Sequence, residues 1–127
     1  RLCARHATPE QVAELKELCK EMHAIEDATA RVEVNSRFHS MIAQFSGNDR
    51  VVDYLADFRE RVNRDMYLSS FNAVRTHDCD DEHDHIVDAI ERHDEVAAEN
   101  AMRKHINNAF IFKRANAELQ DKNLNEV

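Results

Sequence analysis

Apolar residues recur along this chain at spacings of three and four, the period of helices that bury one stripe. Val12, Leu15, Cys19 and Met22 form the first stripe, which reaches Ile25 and predicts a helix ending near residue 26. Its start is marked by Thr8 as N-cap, Pro9 in the first helical position and Gln11 closing a capping box. Ahead of it, residues 1–6 read as the end of a helix. Val34, Phe38, Met41, Ile42 and Phe45 predict a second helix over 32–45, stopped at Ser46-Gly47-Asn48 with Gly47 as the left-handed cap. A long helix is expected from Asp49 to Ser70, with Val51, Val52, Leu55, Phe58, Val62 and Met66 inward. "FNAVRTHDCDD" (71–81) reads as a polar connection, followed by a shorter helix over 80–92 carrying His83, Ile86, Val87 and Ile90 on one face. Asp94 then caps a last helix with the stripe Ala98, Ala101, Met102, His105, Ala109 and Phe112.

Composition narrows the class. With 127 residues, one Gly, one Pro and no Trp, the chain has little material for hairpins and enough length for one core. The expectation is all-α: a single antiparallel helical bundle over 1–115, with a tail over 116–127 that loses its periodicity and frays. No stretch approaches 18 apolar residues and no signal-peptide pattern is present, so neither a membrane span nor export is expected, and a cytoplasmic location follows. The net charge of −8 argues against this segment gripping a phosphate backbone. Cys3, Cys19 and Cys79 are odd in number and form no C-x-x-C pair, which points to reduced, partly buried thiols. Because the chain opens at Arg1 in what reads as a helix already under way, a fragment of a longer protein is expected.

The eight histidines divide by position. His6, His77, His85 and His93 fall at ends, in the connection or on polar faces and are expected to be solvated, while His23 flanks its stripe. His39, His83 and His105 lie on or beside the inward stripes of three different helices, and Asn35 sits one turn before His39 on the same face. Any one of them alone suits a core imidazole bonded to a carbonyl. Converging in one interior, they would each cost about 1–3 kcal/mol if left without partners. A divalent transition metal would satisfy them together, because neutral imidazole is a good ligand for zinc, nickel, manganese or iron.

Four short motifs, "NSRFH" (35–39), "FSGN" (45–48), "EHDHIVDAI" (82–90) followed by Asp94, and "AMRKH" (101–105), together resemble the FCD domain. That domain is the effector-binding C-terminal part of the FadR subfamily of GntR transcription regulators. "RLCARHATPEQVAELKELCKEM" is similar to its early helices, so the likeness runs from residue 1 to about 110. The resemblance implies an antiparallel bundle with a central metal, its first helix mostly missing here, and a ligand set of Asn35, His39, His83 and His105. It further implies zinc first among the candidate metals, a small carboxylate effector completing the coordination, a homodimer, and an N-terminal winged helix-turn-helix, absent from this chain, that reads operator DNA.

The family pattern has Asp where this chain has Asn35. An amide ligates through its carbonyl oxygen but brings no negative charge, so the cation would keep its full charge and attract an anionic effector more strongly. The alternative is a metal-free site in which Asn35 hydrogen-bonds His39. For the effector, Arg59 and Asn63 in "FRERVNR" (58–64) and Asn108, three residues after His105, are the candidate contacts. A guanidinium would clamp a carboxylate bidentately, whereas a solvated Arg59 would pair with Asp57 or Glu60. Glu82 reads as a carboxylate favouring the N-terminus of its helix.

The functional expectation is therefore a sensor, not an enzyme: a domain whose occupancy modulates DNA binding by an N-terminal domain outside this chain. Two rivals stand beside it. A metal-dependent bundle enzyme of the di-iron type would need a second Glu-x-x-His besides Glu82–His85, and the sequence has none. A structural dimerisation bundle would need neither metal nor ligand.

Overall fold

Thr8 opens its helix as the sequence predicts: its Oγ1 accepts from Gln11 N (3.2 Å) and Gln11 Oε1 accepts from Thr8 N (3.0 Å). In the computed structural model the backbone is described for residues 1–57 and 73–125, and side chains for 1–57, 77–112, 114 and 115. Those residues form α1 (Leu2–His6), α2 (Pro9–Ala24), α3 (Ala28–Phe45), α4 (described over 49–57), α5 (Ala73–Glu91) and α6 (Glu95–Asn125). Together they make an all-α antiparallel bundle with no strand among the described residues.

The ends of these helices are set locally. Asp27 caps α3 by accepting from Ala30 N (2.8 Å), which starts that helix four residues earlier than residue 32. Gly47 takes φ 68 and its N–H reaches Gln44 O (3.1 Å); Asn48 Oδ1 then accepts from Arg50 N at the head of α4. Between α5 and α6 the turn closes in a Schellman pattern, His93 N to Ile90 O and Asp94 N to Ala89 O, both 3.0 Å. The left-handed position is held by His93 (φ 54), not by a glycine. Asp94 also accepts from Ala97 N (2.9 Å), so one residue ends a helix and caps the next.

The largest correction concerns residues 73–81, expected as part of a polar connection and found as the first half of α5. The polar run is helical because its residues face different surroundings. His77, Asp78 and Asp81 are exposed, while Asp80 is 2% exposed and pairs with Arg31. The Arg31 guanidinium also donates to Met22 O and Ile25 O at the end of α2. One side chain of α3 thus supplies the missing donors at the end of α2 and neutralises a buried carboxylate on α5. The backbone of α6 is helical through 116–125, the stretch expected to fray.

The core lies where α5 meets α2 and α6, with α1 and α3 packed alongside. Leu15, Met22, Phe38, Ile86, Val87 and Ile90 are almost wholly buried, and each such side chain contributes about 1.5–3 kcal/mol by leaving water. The expected stripes hold for α2, α3 and α5. On α6, Ala98 and His105 are buried, but Ala109 is exposed, and on α4 so is Val51. No described helix is long and apolar enough to cross a membrane.

Candidate metal centre

Three helices deliver one histidine each to the same point. His39 projects from α3 beside the buried Phe38, His83 from the middle of α5, and His105 from α6. His83 and His105 are 1% and 5% exposed, and one ring nitrogen from each of the three lies within 4.8 Å of the others. Phe38 packs against His83 with 4.6 Å between centroids and 50° between the ring planes, an apolar wall beside the imidazole.

The spacing suits a metal. Two imidazole nitrogens on one tetrahedral zinc stand about 3.3–3.4 Å apart, since each Zn–N bond is about 2.0–2.1 Å. His39 Nε2 and His105 Nε2 are 3.3 Å apart. Ring centroids of such ligands would be separated by about 5 Å; the three separations here are 4.6, 5.2 and 5.5 Å. The chemistry of the donors agrees. Withdrawal from water, and then the charge His105 can carry, push His39 down to about 3. Its ring is therefore neutral at ordinary pH and keeps a lone pair for a cation.

Glu82 orients the site. Its Oε2 lies 2.7 Å from His105 Nδ1 and its Oε1 accepts from Asn108 Nδ2 at 2.6 Å. With Nδ1–H donated to the carboxylate, His105 turns its Nε2 toward His39, the pairing usual behind metal-bound histidines. Glu82 is thus not a helix-start carboxylate. It sits nine residues into α5, whereas a helix beginning at residue 80 would leave it in the first turn.

Of the residues expected at the site, His39, His83 and His105 come together. Asn35 is partly buried one turn before His39 on α3. Asn108 contacts Glu82 and lines a groove between α5 and α6 together with His85, Lys104 and Phe112. Arg59 and Asn63 lie outside the described residues. Cys79, half-buried on α5, was overlooked: its Sγ is 3.8 Å from His83 Nε2. An α5 starting at residue 73 would have disclosed it, since Cys79 then falls one turn before His83.

His6 and His77 are exposed as expected, while His93 and His23 have specific partners. His93 Nδ1 lies 2.8 Å from Ala4 O and ties α1 to the α5–α6 turn, and His23 Nε2 lies 2.7 Å from Asp84 Oδ2. That carboxylate raises the pKa of His23. Cys3 and Cys19 are buried thiols whose pKa values burial pushes up to about 11 and about 12.

Residues 1–108 match the FCD domain family. Relatives include the HTH-type transcriptional repressor NanR of Escherichia coli and of Shigella flexneri, each 32% identical over 115 residues, covering 84% of this chain. The chain spans 42% of the length of these relatives.

Proposed function

The chain belongs to the FCD domain family of GntR-type regulators, a regulatory and not a catalytic class, and from that membership we propose that it senses a small carboxylate through a metal held in its core. His39, His83 and His105 would hold a divalent transition metal, zinc first, with the Asn35 carbonyl oxygen alongside. The observation that carries this reading is the 3.3 Å separation of His39 Nε2 and His105 Nε2, with Glu82 fixed behind His105.

When bound, the metal supplies a positive centre in a place shielded from water, where an anion is attracted more strongly than at the surface. The chain's own groups do the rest. Glu82 and Asn108 hold His105 in its ligand orientation, and Phe38 excludes water behind His83. The groove past Lys104 and Asn108 is the approach for the effector, and Arg59 and Asn63 are the proposed clamp for its carboxylate.

Because the three imidazoles come from α3, α5 and α6, occupancy adds a common point to helices already joined by the Arg31–Asp80 ion pair and the Glu82 hydrogen bonds. An effector that favours one arrangement of those helices would shift the population toward it. The proposed output is altered operator binding by a winged helix-turn-helix domain outside this chain, in a cytoplasmic homodimer. The name of the NanR relatives favours repression over activation.

The test is metal content of chain purified without chelator or His-tag, beside a His83→Ala, His105→Ala double variant. About one transition metal per chain, absent from the variant, is expected, followed by a thermal shift with small carboxylates that requires the metal. If neither protein takes up zinc, nickel or manganese, the His39–His105 contact is an N–H···N hydrogen bond in a metal-free core, and the sensing reading falls.

A further inference from the structure

We propose that Cys79 is a thiolate ligand of this centre, supplying the negative charge that Asn35 does not bring. This rests on the metal reading above and extends it to a residue outside the family's ligand pattern.

The placement is specific. Cys79 and His83 are four residues apart on α5, so their side chains leave the same face one turn apart. A sulfur and an imidazole nitrogen on one tetrahedral zinc stand about 3.6 Å apart, given bonds of about 2.3 and 2.0–2.1 Å. Cys79 Sγ lies 3.8 Å from His83 Nε2, and it falls within 4.8 Å of a His105 ring nitrogen and a Glu82 carboxylate oxygen. Cys79, Glu82 and His105 thus form a second group of donors that adjoins the three histidines and shares His105 with them.

Charge makes the same case. Asn35 and three neutral imidazoles would leave a dication uncompensated in an interior from which water is excluded. Glu82 is the nearest carboxylate, but its oxygens serve His105 Nδ1 and Asn108 Nδ2. Cys79 is the group in reach that becomes anionic on binding: its thiol proton passes to solvent as the S–metal bond forms, and the site is left with one net positive charge. The other two thiols are unlike it, being buried in the packing of α1 and α2. A soft thiolate also changes metal choice, favouring zinc, cobalt or nickel over manganese.

The experiment loads the chain with cobalt(II) and compares it with Cys79→Ser. The wild type is expected to show a near-ultraviolet sulfur-to-cobalt charge-transfer band beside the visible d–d bands. Cys79→Ser should keep the d–d bands, lose the charge-transfer band, and bind zinc at least about tenfold more weakly, since even outer-shell losses cost that much. A second measurement needs no variant: zinc should protect Cys79 from alkylation, mapped by mass spectrometry, with buried Cys3 and Cys19 as internal references. Cobalt bound with no charge-transfer band, or equal zinc affinity in Cys79→Ser, overturns the thiolate ligand and leaves the histidine site standing. No uptake of cobalt or zinc by the wild type overturns both.

Discussion

Glu82 and His105 are held 2.7 Å apart across the α5–α6 interface, with the carboxylate on Nδ1 and the ring's Nε2 turned to His39. The contact fixes which nitrogen is available inward and makes that nitrogen more basic. Glu82→Gln keeps the shape of the side chain but removes its charge, and zinc affinity should fall roughly 10–100-fold. A competition titration against a chromophoric chelator reads this directly. Equal affinity would mean that the carboxylate is structural only.

Arg31 and Asp80 form a buried ion pair, with side chains 11% and 2% exposed, that joins α3 to α5. Removing one partner leaves the other charged and out of water. Arg31→Ala and Asp80→Asn should each cost about 3–5 kcal/mol of unfolding free energy. Combined, they should cost less than the sum, because the second change removes the stranded charge. Urea denaturation of the two single variants and the double variant tests this; strict additivity would show that the groups act independently.

The pairing of His23 with Asp84 predicts a pH dependence of known sign. The hydrogen bond to Asp84 raises the folded pKa of His23 above 6.5, the value expected when unfolded. Its contribution is therefore fully present below pH 6.5 and is lost as pH rises through the higher folded value. Asp84→Asn should cost stability at about pH 6 and almost nothing at about pH 9, and both groups are exposed enough to keep the effect under about 1 kcal/mol. Denaturation curves of chelated wild type and variant across that range give the difference; a cost that grows with pH would refute the assignment.

His93 holds a left-handed backbone position and reaches Ala4 O with its ring. His93→Ala keeps the backbone strain and loses the hydrogen bond, at a cost of about 1–2 kcal/mol. His93→Gly loses the same bond but relieves the strain, so it should melt higher than His93→Ala. Thermal unfolding of the two variants decides the order.

Much of this could be read without coordinates because it is local. Thr8 with Gln11, Gly47, and Asp94 with Ala97 are signals four residues long or shorter, set by which backbone groups a helix end leaves unpaired. The stripes on α2, α3 and α5, and the inward placing of His39, His83 and His105, likewise follow from helical period alone.

What the sequence by itself determined is thus the course of α2, the buried sides of α2, α3 and α5, and the three imidazoles among the inward residues. Tertiary structure decided which partner each polar group meets: Asp80 with Arg31, His105 with Glu82, His93 with Ala4, separated by 49, 23 and 89 residues. Those contacts turned 73–81 from an apparent connection into helix, moved Glu82 from a helix-end role to one behind His105, and brought Cys79 to the centre. Periodicity reports the direction a side chain leaves its helix, whereas the partner it finds depends on how several helices pack against one another.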